Sequence, residues 1–122
     1  MVKDTGLAAI AYLLGLITGI IVFVISEPKD KFARFHAVQS ILFHVAVMVI
    51  GFVIGIAMVP FAMLSAGTAS PPVFMWFWGL WSVWAFYFIV VFIVWVVLMI
   101  RAYSGQKYKL PVLGDLAEEW TK

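Results

Sequence analysis

The sequence contains no cysteine and few charged residues. Without cysteine the chain has no disulfide, no thiolate metal site and no cysteine nucleophile. Charged residues make up 11% of its 122 residues and hydrophobic residues 66%, against about 25% and about 45–50% in typical soluble domains. Because a soluble chain this short exposes most of its residues to water, a soluble globular enzyme and a disordered chain are excluded. The net charge of +2 is too small to indicate nucleic-acid binding.

Two long stretches of the chain contain no Asp, Glu, Lys or Arg. Residues 5–26 form a stretch of 22 and residues 35–100 a stretch of 66. A transmembrane helix needs about 20 apolar residues, so the first stretch fits one span. The second fits two spans, on either side of the turn-forming residues 65–72. The first stretch is also longer than the apolar core of about 7–15 residues in a cleaved signal peptide, which favours a retained helix.

We therefore predict a single all-α domain, an integral membrane helical bundle with three transmembrane helices and a short C-terminal amphipathic helix. The predicted spans are residues 6–25, 37–64 and 73–100. An inner loop (26–36), an outer loop (65–72) and an inner tail (101–122) complete the chain.

The basic residues predict the orientation of this bundle. They lie in the first loop and the tail, whereas the second loop has none. Because basic loops stay in the cytoplasm, we expect a multi-pass protein of the cell membrane with its N-terminus outside and its C-terminus in the cytoplasm. Six basic residues of the inner side are candidates for binding anionic lipid headgroups, with ordinary orientation charge as the alternative: Lys29, Lys31, Arg34, Arg101, Lys107 and Lys109.

Small residues recur at helical spacing in the first two predicted spans. Gly15 and Gly19 form one GxxxG pattern, and Gly51 and Gly55 form another. Such patterns let helix backbones approach closely in lipid. We expect these glycines to pack spans one and two within one subunit, with a contact between subunits as the alternative.

Polar residues form a stripe at the start of the second span. His36, Ser40 and His44 stand at i, i+4 and i+8, with Gln39 beside them. Because unpaired polar groups in lipid cost several kcal/mol, the simpler interpretation is a set of interhelical hydrogen bonds. The alternative is a polar lining that faces a water-filled path or a partner protein.

The sequence offers no catalytic constellation. It has no HExxH, P-loop or GxSxG motif and no carboxylate within a predicted span. His36 and His44 are eight residues apart, about 12 Å along a helix, so one helix cannot offer both to a metal ion. We expect no enzymatic activity, no cofactor and no metal site.

The tail contains the pattern of a short amphipathic helix on the inner surface of the membrane. Gly105 can end the third span, and Asp115 and Glu118 have the spacing of a capping box. One face of the predicted helix carries four apolar residues: Leu113, Leu116, Ala117 and Trp120.

Two inner segments, KFARFHAVQS (31–40) and AYSGQKYKLPVLGDLAEEW (102–120), resemble a family of small archaeal and bacterial multi-pass membrane proteins of uncharacterised function. The likeness extends to AAIAYLLGLITGI (8–20) in the first span. That family is distantly related to the twenty-kilodalton subunit of the chloroplast inner-envelope import translocon. The motif positions matched here form the candidate working surface: Arg34, Phe35, His36, Gln39, Tyr103, Gly105, Leu110, Pro111, Gly114 and Asp115.

The resemblance implies a non-enzymatic translocon-like or membrane assembly component, hence a role in protein transport. Two alternatives stay open. One is a homo-oligomeric channel for small solutes or ions, and the other is a scaffold that binds anionic lipids. We expect a homo-oligomer or a subunit of a larger membrane complex, because three helices alone do not enclose a pore.

Overall fold

The computed structural model describes residues 3–66 and 72–122. Within these ranges all regular secondary structure is helical, which confirms the all-α prediction. The five helices are α1 (Thr5–Ile10), α2 (Leu16–Ile25), α3 (Lys31–Ala66), α4 (Pro72–Tyr103) and α5 (Leu113–Trp120). Most of the outer loop predicted over 65–72 lies outside the described residues.

Two helices of the described chain are long and apolar enough to cross a membrane. They are the stretches Lys31–Leu64 of α3 and Phe77–Tyr103 of α4. At 36 and 32 residues, α3 and α4 extend for about 54 and 48 Å, beyond the hydrocarbon core of about 30 Å. Both begin before the predicted boundaries 37 and 73, and Pro60 is accommodated within α3.

The first predicted span, 6–25, is not one helix. The chain leaves helical geometry between α1 and α2, and these helices have only six and ten residues. Neither reaches the length of about 20 residues that a span needs. The interruption ends at Gly15, whose φ of +70° is readily adopted only by glycine. Side chains from elsewhere in the chain hold the interrupted backbone, as described below.

The tail folds back through a second glycine. Helix α4 ends at Tyr103, and Gly105 has a φ of +75°. Helix α5 covers the predicted amphipathic segment, but the capping-box prediction is wrong. Val112 is its N-cap residue, and Asp115 lies in the first turn. Because α5 begins at Leu113, Glu118 lies in the last turn of the helix, where it pairs with Lys107 and Lys109.

The chain divides into two compact units. The first comprises Met1–Ala46 with Val94–Lys122, and the second is Val47–Ile93. The first unit contains two small apolar clusters, Ala11 with Val22 and Ala37, and Phe35 with Val38 and Ala117. In the second unit the Tyr87 hydroxyl donates to the carbonyl of Val47.

Candidate functional site

A buried polar network lies in the first unit, where α3 begins. The Tyr12 hydroxyl is 3.1 Å from Nδ1 of His36, and the Gln39 amide donates to the same hydroxyl at 3.0 Å. All three side chains are fully buried. Since the Tyr12 oxygen accepts from Gln39, its own proton is available to His36 Nδ1. The rings of Phe32 and Phe35 pack edge-on against the imidazole, at 4.6 and 5.1 Å between centroids.

Gln39 also fixes the backbone of the tail. Its Nε2 donates to the carbonyl of Tyr108 at 3.0 Å, and its Oε1 accepts from the backbone N–H of Leu110 at 3.2 Å. We call this arrangement the tail clamp. Gly114 fits closely beside it, because a Cβ atom there would lie 2.6 Å from Cβ of Lys109 and 2.9 Å from Oε1 of Gln39. Three motif positions, Gln39, Leu110 and Gly114, therefore meet in one structural contact.

Ser40 and Thr18 hold the interrupted backbone between α1 and α2. Both hydroxyls donate to the carbonyl of Ala11, at 2.7 Å from Ser40 and 3.1 Å from Thr18. The Leu14 N–H donates to the Thr18 oxygen at 3.1 Å. The Trp95 indole N–H of α4 donates to the carbonyl of Tyr12. These bonds replace those that a continuous helix would make.

His44 differs from the rest of the polar stripe because it is only partly buried. Its Nδ1 lies 2.8 Å from the carbonyl of Ser40 and donates to it, because a carbonyl oxygen only accepts. The ring lies against Gly15, where a Cβ atom would be 2.7 Å from the imidazole Cδ2.

The two glycine patterns meet different partners. Gly19 lies against α3, where an added Cβ atom would be 2.9 Å from the Ile41 side chain. Gly51 and Gly55 face α4, where an added Cβ atom would be 3.5 Å from the Tyr87 hydroxyl and 3.8 Å from the Trp84 ring, respectively. The first pattern thus packs on α3, the second faces α4, and both have neighbours within the chain.

Asp30 was not predicted from the sequence as a site residue, although it is a buried carboxylate that accepts two backbone hydrogen bonds. It is 2% exposed, and it accepts from the backbone N–H of Ala33 at 3.0 Å, which caps α3. Its second oxygen accepts from the N–H of Asp4 at 2.9 Å. Nearby, Lys3 donates to the carbonyl of Gly105. An Asp directly before an apolar helix is the signal that would have identified this cap.

The six candidate headgroup residues are not equivalent. Lys107 and Lys109 both pair with Glu118, and together they lower the pKa of Glu118 from 4.5 to about 2. Glu118 in turn raises the pKa of Lys109. With Asp115 also 3.9 Å from Lys109, two carboxylates of the tail offset the charges of these two cations.

The other four cations divide into two pairs. The guanidinium carbon of Arg34 lies 4.2 Å from the centroid of the Phe23 ring. Arg101 donates a hydrogen bond to the side chain of Gln106. Lys29 and Lys31 are exposed. We call the region that holds all these charges, residues 3–4, 27–34 and 101–122, the charged end.

The remaining motif residues are partly structural and partly exposed. Phe35 is buried in the cluster with Val38 and Ala117. Tyr103, Pro111 and Asp115 are exposed. In the parts of the chain that the structure describes, no three His, Asp or Glu side chains come together in a way that could hold a metal ion.

Comparison with known proteins identifies the family. Residues 3–117 match the model of the MamF_MmsF family, described as the magnetosome magnetite crystal formation protein family. The chain belongs to this family. A UPF0132 membrane protein of Methanocaldococcus jannaschii is 35% identical over 115 residues, which cover 93% of this chain and 84% of the relative. One from Archaeoglobus fulgidus is 33% identical over 123 residues, covering 96% and 94%. No solved structure matches the chain.

The family and the two long apolar helices together indicate a membrane protein. The predicted resemblance to small archaeal membrane proteins agrees with these relatives. The distant relationship to the chloroplast translocon subunit stays a prediction, because none of the matches above concerns it.

Proposed function

We propose that the protein is a non-enzymatic membrane assembly component, in which α3 and α4 cross the cell membrane and the charged end docks a partner in the cytoplasm. The tail clamp is the observation that carries this proposal. It fixes residues 108–110 to α3 and so holds α5 as a preformed surface. A preformed surface loses little conformational entropy when a partner binds. Translocon-like handling of polypeptides, or the crystal formation named in the family description, would be a setting for such a component.

The arrangement of the polar stripe favours docking over conduction. A water-filled path needs polar side chains turned toward it, whereas His36, Gln39 and Ser40 are buried, and His36 Nδ1, the Gln39 amide and the Ser40 hydroxyl bond within the first unit. The channel alternative depends on His44, the one partly exposed member of the stripe.

Anionic lipid is the second kind of partner that the charged end supports. Lys29 and Lys31 are the cations best placed for headgroups, because Lys107 and Lys109 already pair with Glu118. We therefore expect Lys29→Gln with Lys31→Gln to lower the retention of anionic lipid more than Lys107→Gln does. Lipid mass spectrometry after reconstitution in mixed nanodiscs measures this retention.

Photo-crosslinking in native membranes tests the docking proposal. A photoreactive residue replacing the exposed Glu119 of α5 should give a discrete adduct. The adduct should be lost in Gln39→Ala, which opens the tail clamp, and kept in Gln106→Ala, which removes an exposed amide. An adduct that survives Gln39→Ala unchanged would refute the role of the clamp.

A flux measurement separates docking from conduction. Proteoliposomes that hold the protein should show the same ion and solute leakage as empty vesicles. Leakage that varies near pH 6–7, about where histidine titrates, and that disappears in His44→Leu would support the channel instead. Native mass spectrometry in nanodiscs gives the number of subunits in either case.

A further inference from the structure

We propose that α1 and α2 form a re-entrant hairpin rather than a transmembrane span. The hairpin enters the membrane from the charged end, turns at residues 11–15 and returns to the same side. Its outer face then contacts the acyl chains of one leaflet, and both chain termini lie on one side of the membrane. This inference depends on the membrane location of the chain and not on the proposed function.

The start of the hairpin is tied to the charged end. The N–H of Asp4 donates to the buried carboxylate of Asp30, which caps the first turn of α3. Lys3 donates to the carbonyl of Gly105, two residues beyond the end of α4. The N-terminal segment is therefore level with the beginning of α3 and the end of α4. A spanning helix would instead begin at the opposite ends of those helices.

The contacts along α3 follow the hairpin inward. Asp4 meets Asp30, Ala11 accepts from Ser40, and Gly15 lies against His44. Increasing residue numbers in α1 and the turn thus correspond to increasing numbers in α3. The first arm runs in the same direction as α3.

The contacts of α2 then follow α3 in reverse. Gly15 lies against His44, Gly19 against Ile41, and Phe23 under Arg34. The second arm therefore runs antiparallel to α3 and brings the chain back to the level at which α3 begins. Ser26 and Lys29 follow directly, and α3 starts at Lys31.

The depth of the turn matches one leaflet. His44 is thirteen residues beyond Lys31, about 20 Å along the helix. Helix α2 has ten residues, so the returning arm is about 15 Å long. That is half of a hydrocarbon core of about 30 Å. A span of the same residues would place Thr5 level with a residue of α3 about 20 positions after Lys31.

The interrupted backbone at residues 11–15 makes hydrogen bonds within the protein, as non-helical backbone inside a bilayer must. Non-helical backbone is tolerated within the bilayer only where protein or water satisfies it. Here the carbonyls of Ala11 and Tyr12 accept from Ser40 and Trp95, and the N–H of Leu14 donates to Thr18. These donors and acceptors all belong to the chain itself.

The outer face of the hairpin suits acyl chains. Thr18, Gly19 and Val22 face inward and are buried. The exposed side chains of the turn and of α2 are wholly apolar and include Leu13, Leu14, Ile17, Ile20, Ile21 and Val24. In water such a face would be unfavourable, whereas in a leaflet it is matched by its surroundings.

The hairpin also brings every charge of the sequence to one side. All eight basic and six acidic residues lie in segments 3–4, 27–34 and 101–122, and residues 35–100 carry none. By the positive-inside rule that side is the cytoplasm. The proposal thus replaces the expected outside position of the N-terminus and leaves the C-terminus in the cytoplasm.

Single cysteines test the sidedness of the termini, since the natural chain has none that would react. We expect a membrane-impermeant maleimide to label Val2→Cys and Lys122→Cys from the same side, and Ser70→Cys only from the other side. Labelling of Val2→Cys from the side that labels Ser70→Cys would overturn the hairpin. Each variant contributes only if it migrates as the natural protein does in gel filtration.

A matched pair of lipid-facing positions gives a second test. Ile10 and Ile20 are 47% and 49% exposed, one on each arm. With a fluorophore on Ile10→Cys or Ile20→Cys, a quencher confined to the cytoplasmic leaflet should quench both to a similar extent. In a single span the two positions would lie in opposite leaflets. Strong quenching of one and weak quenching of the other would therefore contradict the proposal.

Discussion

The two units of the molecule are built in different ways. All twelve apolar side chains found buried in the described chain belong to the first unit, and so do the six buried polar or charged ones. The second unit, Val47–Ile93, has no charged residue. Its large apolar side chains are exposed, for example Phe52 at 69% and Phe86 at 70%. Within this unit the Tyr87 hydroxyl donates to the carbonyl of Val47.

This difference reflects what stabilises helices in lipid. Lipid tails are as apolar as the side chains they meet, so apolar burial alone contributes little to association. Polar groups, by contrast, must find partners within the protein. The first unit concentrates such groups, and their bonds determine where the chain turns. The second unit has few polar side chains, and a Cβ atom added at Gly51 or Gly55 would make only ordinary van der Waals contacts with α4.

Removing the tail clamp should have the largest effect. Gln39→Leu leaves the carbonyl of Tyr108 and the N–H of Leu110 without their partner and also removes a bond to Tyr12. Unsatisfied groups of this kind cost about 1–3 kcal/mol each, and we expect the free energy of unfolding in mild detergent to fall by about 2–4 kcal/mol. Hydrogen exchange of residues 107–114 should rise as well.

Gln106→Leu is the control for this change, since it alters an exposed amide of the same type. We expect it to change the free energy of unfolding by about 0.5 kcal/mol or less. Equal losses in the two variants would mean that the clamp adds no stability beyond that of an exposed glutamine.

A matched pair of glycine substitutions compares the two units directly. Gly15→Ala should cost about 1–3 kcal/mol, because its φ of +70° is unfavourable for other residues and the new Cβ atom would meet the His44 ring. Gly51→Ala should be neutral or stabilising by up to about 1 kcal/mol, because the site is helical and the nearest atom is 3.5 Å away. Thermal unfolding measures both, and equal losses would remove the distinction between the units.

The sequence predicted the parts of the fold that depend on local pattern. The charge-free stretch 35–100 and the apolar periodicity of 113–120 led to α3, α4 and α5, with ends within a few residues except at the start of α3. The interruption at 11–15 could not be predicted in this way. AYLLG has the composition of a span, and the backbone of the turn is satisfied by Thr18 together with the distant Ser40 and Trp95. Gly15 was the one local signal, and its spacing to Gly19 pointed to helix packing instead.

The candidate site shows the same limit. The need for partners at His36, Gln39 and Ser40 could be predicted from an apolar helix, because lipid supplies none. The identity of those partners could not, since Ala11, Tyr12 and Tyr108 come from remote segments. Whether the exposed motif residues bind anything stays a prediction.

Two tyrosine hydroxyls allow a finer comparison between the units. Tyr12→Phe removes a buried hydroxyl that bonds His36 and accepts from Gln39, and should lower the free energy of unfolding by about 1–2 kcal/mol. Tyr87→Phe removes one bond to a carbonyl, with an expected loss of about 0.5–1 kcal/mol. Chemical unfolding of both variants checks the order, and a larger loss in Tyr87→Phe would reverse it.

The smallest effect concerns the exposed ion pairs of the tail. Because Lys107 and Lys109 lower the pKa of Glu118 to about 2, the stabilisation from these pairs is complete above the ordinary pKa of 4.5 and is lost as the pH falls through 2. A carbon-13 NMR titration of the Glu118 carboxyl in nanodiscs should have its midpoint well below 4.5. Lys107→Gln with Lys109→Gln should return the midpoint toward 4.5, while α5 stays docked because the tail clamp does not involve these charges. If the midpoint in the double variant equals that of the natural protein, the two lysines do not lower the pKa of Glu118.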